Sequence, residues 1–180
     1  AVPALSLATR IPGSPESSGE FTTLTPPPGR PLRTVALAND VHYGEQALVS
    51  RANAGDIANV GFIVGARCVA VVDTGGTYAV GRALREAIRG VTPLPVCYVI
   101  NTHVHPDHVF GNAAFVDDGC EFVGHARAPD ALRRRGEYYL AALTRDAGDA
   151  ARGTRIVPPT RTVDGSAALD LGARVLTLRS

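Results

Sequence analysis

Residues 101–112 have the sequence NTHVHPDHVFGN, in which three of the chain's five histidines and one aspartate fall within six residues. Side chains two residues apart point the same way as a chain leaves a strand, so His103 and His105 can approach one metal ion from the same side. A proline then fixes the backbone φ angle at the turn. Asp107 and His108 are expected to project from this loop or from the first turn of the following helix.

The side chains of this motif belong to the types that bind catalytic metals. Imidazole and carboxylate groups together suit Zn²⁺, Fe or Mn. No cysteine lies in the cluster, which argues against a closed structural zinc site. The candidate metal ligands are therefore His103, His105, Asp107 and His108. The alternative interpretation is a turn with capping residues and satisfied histidines.

The segments that lead into the motif have the patterns of two strands, a helix and a third strand. Residues 60–64 and 68–72 are β-branched runs around a short glycine-containing turn, which predicts a hairpin. Apolar residues recur at helical spacing over residues 80–88, which predicts an amphipathic helix closed by Gly90. Residues 95–100 are almost continuously apolar, as expected for a strand buried on both faces, and this strand runs directly into the motif.

The segments after the motif predict one long helix and two strands. His125 ends an apolar run, and we assign it a structural or helix-capping role. The three arginines at residues 133–135 of the helix are interpreted as a solvated face in preference to an anion site. Strands are predicted at residues 161–163 and 174–178. The apolar face of the helix consists of Leu132, Tyr139, Leu140 and Leu143.

Length and charge describe one ordinary domain. The chain has 180 residues and a net charge of +1, from 18 basic and 17 acidic side chains. Such a length is enough to bury a real core, and the near-neutral charge disfavours an electrostatic nucleic-acid binder. No stretch approaches the roughly 18 consecutive apolar residues of a helical membrane span. We therefore expect neither nucleic acid nor a membrane as a partner.

The first part of the chain differs from the rest in composition. Residues 1–34 hold seven of the thirteen prolines, which predicts a Pro/Gly/Ser-rich N-terminal arm that lies on the surface or is disordered. The folded domain is predicted over residues 35–180. The three cysteines are too few and too scattered for a disulfide framework, and Cys68 and Cys97 are interpreted as small buried hydrophobes.

The motif and two short segments near it resemble a known family. The His-x-His-x-Asp-His pattern at residues 103–108, Asp-Thr-Gly at residues 73–75 and Gly-Asn at residues 111–112 are similar to the metallo-β-lactamase fold superfamily of metallohydrolases. The resemblance covers roughly residues 35–180. The flanking residues, Asn-Thr before the motif and Val-Phe-Gly-Asn after it, look most like the zinc metallohydrolases associated with quinoprotein relay and sulfur-oxidation systems.

This resemblance implies an α/β (α+β) fold, the four-layer αβ/βα sandwich, with a metal cleft along one edge of its sheets. It implies that His103 and His105 bind a first metal ion and that Asp107 and His108 bind a second, as in glyoxalase II-like and lactonase-like members. The cofactor is then zinc, with up to two ions, and iron is the alternative. Asp73 is the candidate acceptor for the remaining N–H of a metal-binding imidazole, although a turn-forming aspartate before glycine is the other interpretation.

The resemblance also implies that this chain is incomplete. A complete site of the family needs another histidine, a bridging aspartate and a last histidine. His125 is the only histidine after the motif, and it lies too close to the motif and lacks the sequence pattern of a ligand. The remaining ligands are therefore expected beyond Ser180, in a longer hydrolase of which this chain is the N-terminal half to two thirds. Such a chain is expected to expose a sheet face and to associate.

The motif and this resemblance together imply a metal-dependent hydrolase that uses a metal-activated hydroxide on a small-molecule substrate with a lactone, thioester, amide or related bond. Asp107 is expected to transfer the proton as general acid and base. Two alternatives remain: an iron-dependent oxidoreductase of the same fold acting on sulfur compounds, and an inactive fragment or domain that keeps the motif for structure. The narrower resemblance implies a periplasmic location with an N-terminal leader removed.

Overall fold

The computed structural model describes residues 5–10, 49–51 and 53–180. In chain order the helices and strands are β1 (Ser6–Arg10), β2 (Gly61–Val64), β3 (Val69–Val72), α1 (Tyr78–Val91), β4 (Val96–Ile100), α2 (Pro106–Val109), β5 (Glu121–His125), α3 (Ala128–Ala147), β6 (Arg161–Val163), β7 (Ser166–Asp170) and β8 (Val175–Arg179). Two 3₁₀ segments, Phe110–Asp118 and Gly148–Ala151, follow α2 and α3.

The strands form two sheets that pack face to face. The larger sheet has the strand order β2-β3-β4-β5-β6, and the smaller sheet has the order β1-β8-β7. One face of the larger sheet packs against α1, with Val71 of β3 and Leu84 of α1 in one buried cluster. The opposite face packs against the smaller sheet, with Ala70 of β3 and Leu176 of β8 in another. The described layers are helices, larger sheet and smaller sheet, which confirms the predicted mixed α/β fold.

The strand directions bring two segments of interest to one edge of the larger sheet. β2 and β3 form the predicted antiparallel hairpin, whereas β3, β4, β5 and β6 run parallel to one another. Ligand sites of open α/β sheets lie beyond the carboxyl ends of such strands. Asp73 follows β3 and the histidine motif follows β4, so both lie at this edge.

The helix predicted over residues 80–88 is confirmed, but its predicted end at Gly90 is wrong. The N–H of Thr92 donates to the carbonyl oxygen of Ile88, which carries the helical hydrogen bonding through Gly90 to Val91. Glycine is needed at a helix end only where the backbone turns left-handed. Here Thr92 ends the helix in an extended conformation, with φ of −151°.

The long helix predicted after the motif is also confirmed. Leu132 and Leu143 of α3 are buried, and they share a cluster with Val109 and Phe110 at the end of α2. The arginines at residues 133–135 are exposed, as expected for a solvated face. Among the helices that the structure describes, none is both long and apolar enough to cross a membrane.

The smaller sheet shows that part of the predicted N-terminal arm is folded. Ser6–Arg10 pair antiparallel with β8, and Leu5 just before them is only 6% exposed. The expectation that the arm lies on the surface or is disordered is therefore corrected for these residues, because they pair with β8 and the residue just before them is buried. Residues 11–34 lie outside the described part of the chain, and the boundary at residue 34 stays a prediction.

Two of the three cysteines are bonded to each other. Cys68 precedes β3, Cys97 lies in β4, and the two form a disulfide with their Cα atoms 5.8 Å apart. The interpretation of both as small buried hydrophobes is corrected, although Cys68 is indeed fully buried. Scattered positions in the sequence could not show this pairing, because it depends on β3 and β4 being neighbours in the sheet.

We expect reduction of this disulfide to lower the free energy of unfolding by about 3–4 kcal/mol. The bond joins two cysteines that are 29 residues apart in the sequence. The loop-closure entropy for this separation gives the stated magnitude. Urea denaturation of the oxidised and reduced chains measures it, with Cys120→Ala as the control that keeps the bond. Thiol titration of the unreduced, denatured chain should find one thiol, from Cys120. A titre of three would contradict the disulfide.

Helix α1 lies unusually close to the segment after the motif. A Cβ atom on Gly81 would come within 3.0 Å of the backbone of Gly111. Real Cβ atoms essentially never make such contacts, and the neighbour here is backbone that cannot rotate away. Glycine at position 81 therefore sets how closely the helix approaches the segment that carries the histidine motif.

We expect Gly81→Ala to lower the free energy of unfolding by about 1–3 kcal/mol, the usual cost of overpacking. The matched control is Gly90→Ala in the same helix, where a Cβ atom would meet nothing within 4 Å. The control should raise stability by about 0.5–1 kcal/mol, because alanine favours a helix over glycine. Equal effects of the two substitutions in thermal or urea unfolding would contradict the close approach.

Candidate metal centre

The histidine motif forms the connection from β4 into α2. Asn101 follows β4 directly, and His105 has an extended backbone, with φ of −69° and ψ of 145°, just before the helix begins. Pro106 is the first residue of α2, a position that its fixed φ favours. Asp107 and His108 lie within this single helical turn. One short segment thus presents all four candidate ligands.

The donor atoms of these ligands approach one another in two pairs. His103 Nε2 lies 3.1 Å from His105 Nδ1, and Asp107 Oδ2 lies 3.3 Å from His108 Nε2. The rings of His103 and His108 are 4.0 Å apart, which joins the pairs into one cluster. Two ligands of a tetrahedral zinc ion, with bonds of about 2.05 Å, lie about 3.3 Å apart. The donor types and their separations therefore fit metal ions.

Asp73 lies behind this cluster as a buried carboxylate. It is 3% exposed and has a positive φ of 56°, which is strained for a residue other than glycine. Its Oδ1 accepts from the backbone N–H of Thr102 at 2.8 Å. Its Oδ2 lies 2.6 Å from the Thr102 hydroxyl and 2.7 Å from Nδ1 of His108. Three donors thus surround the carboxylate.

These contacts define what Asp73 does in the cluster. Asp73, His103 and His108 are close enough together to hold a metal ion as a trio. The oxygens of Asp73 already accept three hydrogen bonds, however, so a metal bound there would have to displace at least one of these donors. Its contact with Nδ1 of His108 instead directs the other nitrogen of that ring, Nε2, toward Asp107.

Thr102 is a residue that the sequence analysis missed. Besides contacting Asp73, its hydroxyl oxygen lies 2.9 Å from His103 Nδ1. A carboxylate can only accept, so the hydroxyl gives its proton to Asp73 and accepts the N–H of His103. This network leaves the lone pair of His103 Nε2 free to face His105. The only signal in the sequence is the place of Thr102 immediately before His103.

Charge is distributed unequally over the cluster. Burial alone would lower the pKa of His108, but its hydrogen bonds to Asp107 and Asp73 raise that pKa to about 9. Burial, together with the charge of His108, lowers the pKa of His103. Burial would raise the pKa of Asp107, yet the hydrogen bond from His108 holds it below its usual value. At neutral pH the metal-free cluster therefore has a protonated His108 between two carboxylates, beside a neutral His103.

His125 lies apart from this cluster, at the end of β5. It is 6% exposed, and its Nδ1 accepts the backbone N–H of Arg127, the residue just before α3. The predicted structural role of this histidine is confirmed, whereas helix capping is not, because α3 begins without a side-chain cap hydrogen bond.

Comparison with protein families supports the geometry. The sequence profile of the "Metallo-beta-lactamase superfamily" matches residues 54–176, which include the whole motif and Asp73. Comparison with curated proteins gives no significant match.

Solved structures give a consistent but partial likeness. A metallo-beta-lactamase from Pontibacter korlensis has a TM-score of 0.50 and 16% identity, covering 63% of this chain and 44% of that protein. One from Hirschia baltica has a TM-score of 0.44 and 16% identity, with 61% and 42% covered. The FIM-1 enzyme of Pseudomonas aeruginosa, in a mono-zinc form, has a TM-score of 0.42 and 17% identity, with 59% and 40% covered. The chain spans less than half the length of each of these proteins.

We expect the metal-free protein to lose stability as the pH rises from about 6.5 to about 9. The folded-state pKa of His108 is raised from 6.5 to about 9, so the folded state binds more protons than the unfolded state over this window. The stabilisation is complete below pH 6.5 and is lost through pH 9. Urea denaturation at several pH values, in the presence of a chelator, measures this dependence.

Two matched variants show whether His108 is the group that causes this pH dependence of stability. His108→Gln should remove the pH dependence, whereas His125→Gln should keep it because that residue lies outside the cluster. A flat profile for the unsubstituted chain would contradict the proton held between Asp73 and Asp107.

Proposed function

Because the chain belongs to the metallo-β-lactamase superfamily, we propose that it carries the metal site of a metal-dependent hydrolase. The observation that carries this proposal is the convergence of four donor atoms from residues 103–108 in two pairs at separations that suit metal ligands. A cluster built only for structure would have no need of three imidazoles on the same short loop.

His103 Nε2 and His105 Nδ1 are proposed to hold a first zinc ion, and Asp107 Oδ2 and His108 Nε2 a second. The network behind the ligands supports this division. Asp73 occupies Nδ1 of His108, and Thr102 occupies Nδ1 of His103, so each ring has its other nitrogen free for a metal. Each pair supplies two of the three protein ligands that a catalytic zinc ion usually has, so a further protein ligand and the substrate would complete each site.

The residues then have distinct tasks in hydrolysis. When bound, zinc lowers the pKa of water to about 7 and so supplies hydroxide near neutral pH. Asp107, whose pKa lies below its usual value, is a carboxylate at that pH and can accept the proton of the nucleophile at Oδ1, the oxygen not assigned to zinc. It can then return the proton to the leaving group, a general acid and base task worth about a hundredfold or more. Asp73 and Thr102 hold the two rings in their metal-binding tautomers.

The proposed substrate is a small molecule with a lactone, thioester, amide or related bond. The P. korlensis and H. baltica structures bear the name metallo-beta-lactamase, so a β-lactam amide belongs among the compounds to test. The residues that flank the motif, Asn101 and Thr102 before it and residues 109–112 after it, favour the zinc metallohydrolases of quinoprotein relay and sulfur-oxidation systems as the narrower group.

A periplasmic location is proposed on two grounds. The narrower group suggests it, and the Cys68–Cys97 disulfide supports it, because such bonds persist in oxidising compartments and are rare in the cytosol. Cell fractionation tests this location, and recovery of the protein with the cytosolic fraction would overturn it.

The decisive experiment is metal reconstitution of the full chain. Metal-free protein is loaded with zinc, or anaerobically with Fe²⁺, and its metal content is measured alongside hydrolysis of a lactone, a thioester and a chromogenic β-lactam. We expect up to two zinc ions to bind per chain, and zinc-dependent hydrolysis of one bond class where the further ligands expected beyond Ser180 are also present. Oxygen consumption by the iron form in place of hydrolysis would instead favour the oxidoreductase.

Two substitutions identify the groups responsible. His105→Ala should weaken the first zinc site, and Asp107→Asn should lower the hydrolysis rate about a hundredfold or more. The matched controls are His125→Gln, outside the cluster, and Asp149→Asn, whose side chain is 98% exposed. Unchanged zinc binding in both site variants would show that these residues are not the ligands.

A further inference from the structure

Two buried asparagines stand at the two ends of the metal-binding loop. Asn101 follows β4, and Asn112 lies in the 3₁₀ segment after α2. They are 1% and 0% exposed. The ten residues between them contain all four candidate metal ligands, but neither asparagine belongs to that set.

The two side chains bond to each other in both directions. Nδ2 of Asn101 donates to Oδ1 of Asn112 at 3.1 Å, and Nδ2 of Asn112 donates to Oδ1 of Asn101 at 2.8 Å. This reciprocal amide pair closes the base of the loop. Because both bonds are directional, the pair sets the orientation of the two loop ends as well as their separation.

Further bonds fix the pair to its surroundings. The second Nδ2 hydrogen of Asn112 is donated to the carbonyl oxygen of Val157 at 3.0 Å, and its Oδ1 also accepts from the Thr74 hydroxyl at 2.8 Å. The amide of Asn112 thus uses both donors and both acceptor positions. Thr74 in turn donates its backbone N–H to the carbonyl oxygen of His108 at 2.9 Å. The network therefore connects the loop ends to a ligand residue through the backbone.

Burying an amide side chain has a free-energy cost that burying an apolar side chain does not have. An apolar side chain of similar size would avoid the cost of removing polar atoms from water, and an amide repays that cost only when its bonds are made. An apolar pair, however, could not fix the relative orientation of the two loop ends. A loop that already has its binding conformation before the ligand arrives binds more tightly, because it loses less conformational entropy on binding.

We propose that Asn101 and Asn112, with Thr74, form an amide clasp that holds residues 102–111 in the metal-binding conformation before any metal arrives. They are positioning residues, since none of them offers an atom to the metal. The expected effect of the clasp on metal affinity rests on the proposed function. The order that the clasp imposes on the loop does not, because it is a property of the metal-free chain.

The test uses the full chain and two readouts. Amide hydrogen exchange of residues 102–111 is measured on metal-free protein, and zinc affinity is measured by competition with a chromophoric chelator. The variants are Asn112→Ala, Asn101→Ala and Thr74→Val, which removes one hydroxyl at nearly constant volume. Thr74→Ser restores that hydroxyl. Leu178→Ala, in the fully buried core between the sheets, is the control for general destabilisation, with all proteins compared at equal distance below their melting temperatures.

We expect loop amides in the three clasp variants to exchange about tenfold faster or more, and zinc affinity to fall about 10- to 100-fold, as for other groups that orient metal ligands. Thr74→Ser should behave like the unsubstituted chain, and Leu178→Ala should leave loop exchange and zinc affinity unchanged. Loop exchange in the clasp variants equal to that of Leu178→Ala would overturn the proposal.

Two further outcomes also bear on the clasp. If the asparagine variants do not fold, the comparison of Thr74→Val with the unsubstituted chain decides, because the two differ only by a methyl group in place of the hydroxyl, and Thr74→Ser controls for loss of the threonine methyl group. If the unsubstituted chain binds no zinc, the proposed function fails, while the exchange readout on metal-free protein still supports or overturns the clasp.

Discussion

The buried carboxylate of Asp73 is the group around which the candidate metal-binding edge is organised. A charge removed from water must be compensated by hydrogen bonds or by an opposite charge. Here Thr102 supplies two donors and His108 a third. The hydrogen bonds to this carboxylate therefore fix the start of the loop and the imidazole of His108. Through the Thr102 hydroxyl they also fix the tautomer of His103.

That arrangement depends on close backbone packing behind it. A Cβ on Gly81 of α1 would collide with Gly111, and a Cβ on Gly111 would collide with the backbone of Thr74. Helix, loop and strand end are thus stacked at distances that only glycine permits. Asn112, the next residue, uses this proximity to reach Thr74 and Asn101. Tight packing and the polar network are two aspects of one constraint, since hydrogen bonds of about 3 Å require the chains that carry them to lie close together.

The parts of the fold that were predictable are those that local pattern controls. The hairpin over β2 and β3, the amphipathic α1, the apolar β4 and the helix α3 each follow from hydrophobic periodicity within their own residues. β1 and β7 were missed because their short segments have weak periodicity. They exist as strands because β8 lies between them and pairs with both. The Cys68–Cys97 bond was missed for the same kind of reason, since it requires β3 and β4 to be neighbours.

For the candidate site, the sequence by itself determined the ligand chemistry: three imidazoles and a carboxylate within six residues, with a proline at the turn. Spacing along one chain is sufficient for this, because the residues share a single loop. Only the tertiary structure decided what surrounds them. Thr102 acts through Asp73, which is 29 residues away along the chain, and Asn112 acts through Thr74, which is 38 residues away. Hydrogen bonds between distant segments leave no periodic trace in the sequence, because their formation depends on how the sheet and its crossings bring those segments together.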